Sequence, residues 1–217
     1  MEPYTVGLFG GGGLAREVAP IIRNQIADTF GELKFVVPSL DQLTTADSIL
    51  EDEFLRETGK RKFCIAIADT TLREKLFHVA LGSGATPTSA IAPSAIIYDT
   101  ATVGDGVIIM PNAVVSADAH VGRGSIVNFN SYVAHDCSVD DFVTIGPGVV
   151  VAGNVSIGAR VTVGAGTMIR NGKDARKVRI NVGAVLGMGS VVLGDVKAGQ
   201  TVAGCPAKPI FSDKDAV

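Results

Sequence analysis

Residues 91–169 read IAPSAI IYDTAT VGDGVI IMPNAV VSADAH VGRGSI VNFNSY VAHDCS VDDFVT IGPGVV VAGNVS IGARVT VGAGTM I when divided into sixes. Each block opens on an aliphatic residue, without exception: Ile91, Ile97, Val103, Ile109, Val115, Val121, Val127, Val133, Val139, Ile145, Val151, Ile157, Val163 and Ile169. The fifth place is small or β-branched throughout, from Ala95 and Ala101 through Ser125, Ser131 and Cys137 to Val161 and Thr167. An α-helix repeats every 3.6 residues and an ordinary strand every 2, so neither asks for a period of six. A solenoid of very short strands does, because one large and one small side chain per block turn into a narrow shared core.

After Ile169 the register breaks. The stretch RNGKDARKVR, Arg170 to Arg179, intervenes before the period resumes at Ile180, Leu186 and Val192, which implies about five inserted residues thrown off one corner. Before the repeat the pattern is different. Tyr4–Phe9 (YTVGLF) is an apolar run ending in Gly10-Gly11-Gly12-Gly13, and Leu14, Val18, Ile21, Ile22 and Ile26 then follow a helical spacing. Pro20 inside that helix is expected to bend or shorten it. Further apolar runs at 33–37 and 63–68, and a helical face at Leu72, Leu76, Val79 and Ala80, complete a strand–helix alternation that indicates a small parallel α/β unit. The Gly/Ser/Pro-rich stretch 82–87 marks a composition shift, so the expected domains are 1–86 and 87–217.

Bulk properties exclude several classes. A net charge of −3 argues against nucleic acid or an anionic membrane surface as partner. Mean hydropathy is +0.34, yet no run of eighteen apolar residues occurs, so no membrane insertion is expected. Three scattered cysteines make no disulfide framework, and the start lacks a signal-peptide pattern; a cytoplasmic location is expected.

Three places carry chemistry. Gly10-x-Gly12-x-x-Ala15 sits between a strand and a helix, where backbone N–H groups can cradle a phosphate or where close packing alone needs glycine. The second strand ends Val36-Val37-Pro38, without the acid that holds a ribose in dinucleotide folds, so NAD is disfavoured. Of three histidines, His78 and His120 read as surface or structural residues. His135 is followed by Asp136, an imidazole beside a carboxylate, which suits a general base as well as it suits a turn. The basic insertion is either a solvated loop or a site for phosphates. Cys137 falls in the small-residue register and is read as core, not nucleophile.

Together these residues resemble the hexapeptide-repeat acyltransferases, and more closely the branch acting on sialic acid or on bacterial nucleotide-linked amino sugars. The resemblance rests on Gly10 to Val18, Ile65 to Arg73, Asn128, Val133 to Ser138, Ala152-Gly153-Asn154 and Gly204 to Lys208. It implies a Rossmann-like α/β subdomain followed by a left-handed parallel β-helix; the handedness comes from the resemblance, since crossovers are ordinarily right-handed. It further implies acetyl-CoA as co-substrate, no metal, a homotrimer, and N-acetylation of a nucleotide-linked amino sugar in surface-glycan or lipopolysaccharide synthesis. His135 and Asp136 are then the catalytic pair. Gly10, Gly11, Gly12, Gly13, Asp69, Arg73 and Asn128 are implied for the sugar nucleotide, and Thr144, Gly153, Met188 and Lys208 for acetyl-CoA, with the Gly153 N–H on the acetyl carbonyl. Family members often carry a second histidine where this chain has Thr144, and an acidic pair where Val37 and Pro38 stand. O-acetylation of sialic acid or a related sugar uses the same base and is the nearer alternative. A non-enzymatic nucleotide-sugar scaffold and a zinc enzyme of the γ-carbonic-anhydrase type are remoter ones; the latter needs three converging histidines.

Overall fold

A computed structural model of the chain describes residues 2–42, 47–173 and 176–210. The chain divides into two compact units, Met1–Ile91 and Ala92–Val217, so the division falls a few residues beyond the expected 86/87.

The first unit is a parallel sheet with helices. Its elements are β1 (Tyr4–Phe9), α1 (Gly13–Ile26), β2 (Gly31–Val37), β3 (Ser48–Leu50), α2 (Glu51–Arg56), β4 (Arg61–Ile65), α3 (Thr70–Gly82) and β5 (Thr86–Pro87). The strand order is β3-β2-β1-β4-β5, and every pairing is parallel. The order reverses at β1, which opens a crevice beyond the carboxyl ends of β1 and β4. Edge-to-face rings of Phe9, Phe54, Phe63 and Phe77 fill the core, with centroids 5.1–6.4 Å apart.

Two expectations need correction. Of the two effects expected of Pro20, shortening does not occur: α1 continues to Ile26. Pro20 is exposed, and having no N–H it cannot donate to the Arg16 carbonyl. The buried face of α3 is Arg73, Leu76, Phe77 and Ala80, whereas Leu72 and Val79 are exposed. The spacing alone could not separate two faces one residue apart. The short elements β3, α2 and β5 carry too few residues to show a period.

The second unit is a parallel β-helix of three-sided coils. Face I contains Val114–Val115, Tyr132–Val133, Val150–Val151 and Met168–Ile169; face II contains His120–Val121, Ser138–Val139 and Val155–Ile157; face III contains Ile108–Ile109, Ile126–Val127, Thr144–Ile145 and Thr162–Val163. Pairing partners are offset by one coil of three hexads, as in Val115 with Val133 and Val121 with Val139. The anchors Ile109 through Ile169 are all at most 1% exposed, so the six-residue register is the core register. Ser125, Ser131 and Thr167, in the small-residue register, are also buried. Their hydroxyls donate to the carbonyls of Asp140, Gly146 and Gly187 at 2.7–3.1 Å.

The corners have a register too. The fourth residue of every hexad from Gly106 to Gly166 has positive φ: Gly106, Asn112, Asp118, Gly124, Asn130, Asp136, Phe142, Gly148, Asn154, Arg160 and Gly166. Asn, Asp and Gly hold most of these places because they tolerate the left-handed region. Asp136 therefore meets a conformational demand as well as a chemical one.

The insertion is visible as a jump in offset. Val139 pairs with Ile157, 18 residues on, whereas Ile157 pairs with Ile180, 23 on. Within the surplus, Lys173 and Arg176 form an antiparallel bridge; Asp174 lies outside the described residues. Because the anchors interdigitate in a thin core, Ile145→Ala is expected to destabilise by about 2–5 kcal/mol. Urea denaturation checks this, and a loss under about 1 kcal/mol would contradict the packing described.

Candidate active site

His135 and Asp136 are the third and fourth residues of their hexad and form the corner between faces I and II. The His135 Nδ1 and Asp136 Oδ2 atoms are 2.7 Å apart. A carboxylate only accepts, so Nδ1 carries the proton and Nε2 is left with a free lone pair. The left-handed turn at Asp136 is fixed from both sides. The Asp136 N–H donates to the Ala117 carbonyl at 3.2 Å, and Lys177 Nζ donates to the Asp136 carbonyl at 2.9 Å.

One coil further on, Gly153 and Asn154 occupy the same corner. The Asn154 N–H donates to the His135 carbonyl at 3.0 Å, which stacks the two coils. A Cβ on Gly153 would stand 2.6 Å from His135 Nε2, so the imidazole lies directly against this glycine. The Gly153 carbonyl accepts from Gly172 at 3.0 Å, while its N–H has no acceptor among the described residues. A base with a free lone pair and an uncommitted amide N–H thus adjoin one another at one corner. That is the pair of groups acyl transfer requires.

A cavity of about 520 Å³ opens here, walled by Asp118, His135, Asp136, Asn154, Gly172 and Lys177. Lys177 also borders a second cavity of about 650 Å³ built from the insertion, with Arg170, Lys173 and Arg176. Arg176 is paired with Asp195 at 3.1 Å. The Arg179 amide, and then Arg176, hold that carboxyl below its usual range. The sequence offers Lys177 only as one cation of the basic insertion; its place at this corner was not legible, because the insertion removes the register that would have given it.

The remaining candidates stand elsewhere. Asn128 and Met188 belong to the corner between faces III and I, Thr144 to face III, and Lys208 to the antiparallel strand Lys208–Pro209 that ends that sheet. The Asn128 Oδ1 accepts the Phe129 N–H at 2.8 Å, and Met188 is 80% exposed. Face I separates this group from the His135 corner. Cys137 is buried and donates to the Ala152 carbonyl; burial raises its pKa, so it is a core residue. His120 is exposed on face II with its Nδ1 2.8 Å from the Thr102 hydroxyl, and His78 is exposed on α3. Among the described residues no three His, Cys, Asp or Glu side chains converge on a metal position.

In the first unit, the glycine turn lines a cavity of about 430 Å³. Gly10 has φ +123°, and a Cβ there would press on the Ala66 carbonyl, so glycine is required for the turn. Gly12 is the N-cap of α1 and offers no side chain, and nothing lies near the Cβ positions of Gly12 and Gly13. The first amide groups of a 14-residue helix therefore face open space, an arrangement suited to a phosphate. Asp69 and Arg73 do not line this cavity. The Asp69 carboxylate caps α3 by accepting the Leu72 N–H at 2.7 Å. Arg73 is 1% exposed and donates to the Ile67 and Ala68 carbonyls, and burial lowers its pKa to about 10. It holds the loop that walls the cavity. Glu51 and Gln42, which the sequence did not single out, do line it.

The family model described as bacterial transferase hexapeptide (six repeats) matches residues 100–135 and 136–171. Over the whole chain, the structure of WeeI from Acinetobacter baumannii AYE superposes with a TM-score of 0.91 at 30% identity, covering 95% of this chain and 100% of that one. The chain belongs to the bacterial hexapeptide-transferase family.

This hexapeptide transferase is also similar to the acetyltransferase domain of PglB from Neisseria gonorrhoeae FA1090, solved in complex with acetyl coenzyme A. The TM-score is 0.85 at 29% identity, with 96% of this chain and 100% of that one covered. A curated relative, GDP-perosamine N-acetyltransferase of Escherichia coli O157:H7, is 36% identical over 119 residues, which span 52% of this chain and 53% of that protein. The coils are accordingly those of a left-handed parallel β-helix, which follows a Rossmann-like α/β unit in the sequence. No helix among the described residues is long and apolar enough to cross a membrane.

Proposed function

We infer that the protein is an acetyl-CoA-dependent N-acetyltransferase acting on the amino group of a nucleotide-linked amino sugar. The observation that carries this reading is the His135–Asp136 pair, 2.7 Å apart, with its imidazole laid on Gly153. The named relatives support the choice of acyl donor and acceptor. Acetyl-CoA supplies an acetyl group already activated as a thioester, so the residues of this chain have to position an amine, take its proton and hold developing charge. His135 Nε2 takes the proton from the amine as its nitrogen bonds to the acetyl carbon. Asp136 keeps the imidazole in the tautomer that leaves Nε2 free and balances the positive charge it gains. The Gly153 N–H faces the acetyl oxygen as the carbonyl becomes negative. The C–S bond then breaks as the His135 imidazolium gives its proton to the departing sulfur, so coenzyme A leaves as the thiol and the imidazole is again neutral. The glycine-turn cavity of the first unit holds the nucleotide diphosphate.

Asp136→Asn separates the two roles of this residue. Asparagine tolerates the left-handed turn, so the melting temperature is expected to stay within a few degrees of wild type. Loss of the carboxylate is expected to lower kcat by about 10- to 100-fold. Steady-state rates with acetyl-CoA check this, and undiminished kcat would remove Asp136 from the mechanism.

The reading includes a homotrimer. Face I presents an apolar ladder to solvent, with Ile96 54%, Tyr132 37%, Val150 37% and Met168 56% exposed, and such a stripe suits burial against another copy. The His135 side chain is itself 63% exposed. Thr144, Met188 and Lys208 lie across face I from it, so in this reading an acetyl-CoA that meets both them and His135 lies between two chains.

A further inference from the structure

We propose that the Glu51 carboxylate, with the Gln42 amide on the same cavity, reads the base of the nucleotide and selects guanine. This rests on the reading that the glycine-turn cavity holds the nucleotide of the substrate. The strand that ordinarily supplies a ribose-binding acid ends here in Val37-Pro38, and Pro38 itself lines the cavity. Glu51 is the carboxylate among the described lining residues. It comes from the residue that follows β3, not from the end of β2.

That displacement has a geometric meaning. In the order β3-β2-β1, the glycine turn follows β1 and Glu51 follows β3, two strands away. Two inter-strand spacings are about 10 Å. A group at that remove from a diphosphate on Gly10–Gly13 stands beyond the ribose, where the base lies. The carboxylate makes no hydrogen bond or ion pair with another described residue. Burial, and then the neighbouring charge of Asp52, raise its pKa above the usual carboxylate value, with Lys75 opposing. It is a partly desolvated acceptor with its hydrogen-bonding capacity open.

The chemistry of the bases then decides. A carboxylate offers two adjacent acceptor oxygens and no donor. Guanine presents two adjacent donors, N1–H and N2–H₂, which it can take in a bidentate, charge-assisted pair. Uracil and thymine place their single N–H between two carbonyl oxygens, which repel a carboxylate. Adenine and cytosine set one amino donor beside a ring-nitrogen acceptor. The Gln42 amide can donate to guanine O6 or N7.

Calorimetric titration of the full-length protein with GDP, inosine diphosphate and UDP tests the assignment. Inosine keeps N1–H but lacks the 2-amino group. The wild type is expected to bind GDP about 10- to 100-fold more tightly than UDP, with inosine diphosphate between them. Glu51→Gln is expected to weaken GDP about tenfold and to leave UDP within twofold, narrowing the gap by about that factor. Equal wild-type affinity for GDP and UDP overturns the proposal without any variant being needed. An equal loss for both nucleotides in Glu51→Gln also overturns it, because that is the mark of a structural role. Tight UDP binding with acetyl transfer to a UDP-linked sugar would sink guanine selection and leave the proposed function standing. Absence of all nucleotide binding together with absence of acetyl transfer would sink both.

Discussion

Replacing His135 by alanine is expected to lower kcat by about 10²–10⁴-fold, the usual contribution of a positioned general base, while the KM for acetyl-CoA changes little. The split follows from geometry. The imidazole Nε2 is free because Nδ1 is bonded to Asp136, so what the side chain contributes is proton removal during attack. It is one of six residues lining its cavity, so most of that wall is unchanged by the substitution. The fold should be indifferent to the change, since His135 is an exposed third-position residue while the corner is held by the main-chain bonds of Asp136 and Asn154. Steady-state rates and a thermal melt measure both parts. A variant that melts like wild type and turns over at the wild-type rate would remove His135 from the mechanism.

Gly153→Ala is the second large effect, and it comes from space instead of chemistry. The φ of Gly153 lies outside the left-handed region, so alanine is not strained by the backbone there. The added methyl would nevertheless stand 2.6–2.7 Å from the imidazole ring, closer than any real contact. The ring is the movable partner and must swing away, taking Nε2 from its place against Gly153. Misplacing a catalytic group by about 1 Å can cost 10²-fold, so kcat is expected to fall by roughly that factor. The double variant gives the sharper reading. With His135 already alanine the methyl has room, and Gly153→Ala is expected to change the residual rate less than about twofold. Equal losses in the two backgrounds would mean that the glycine acts independently of the histidine.

The architecture was legible because a solenoid writes its core into the sequence at fixed intervals. Each anchor from Ile109 to Ile169 is buried for the same reason as the one before it, and one coil predicts the next. The His135–Asp136 pair could be found by the same register, since it decorates a corner whose place is known. Gly153 could be proposed from resemblance, but its approach to the imidazole needed coordinates, because the two residues meet only through stacking of successive coils. The place of Lys177 at this corner was hidden for the opposite reason. It follows an insertion that removes the period, and its bond to the Asp136 carbonyl crosses 41 residues of sequence. In the first unit, strand and helix patterns gave the class, yet Glu51 and Gln42 sit on elements of six and three residues, too short to announce a face. Arg73 shows the limit of matching motifs. Its position agrees with a nucleotide-binding segment, but its guanidinium is turned inward onto loop carbonyls, so it acts on the cavity through the backbone.

The most direct test is to incubate the purified protein with acetyl-CoA and a panel of nucleotide-linked 3-amino and 4-amino sugars, following free thiol and product mass together. The expected result is one thiol released per sugar consumed, with the product heavier by one acetyl group on nitrogen, and near-complete loss of both signals in His135→Ala. No thiol release with any amino sugar, or release that persists undiminished without His135, would contradict the account.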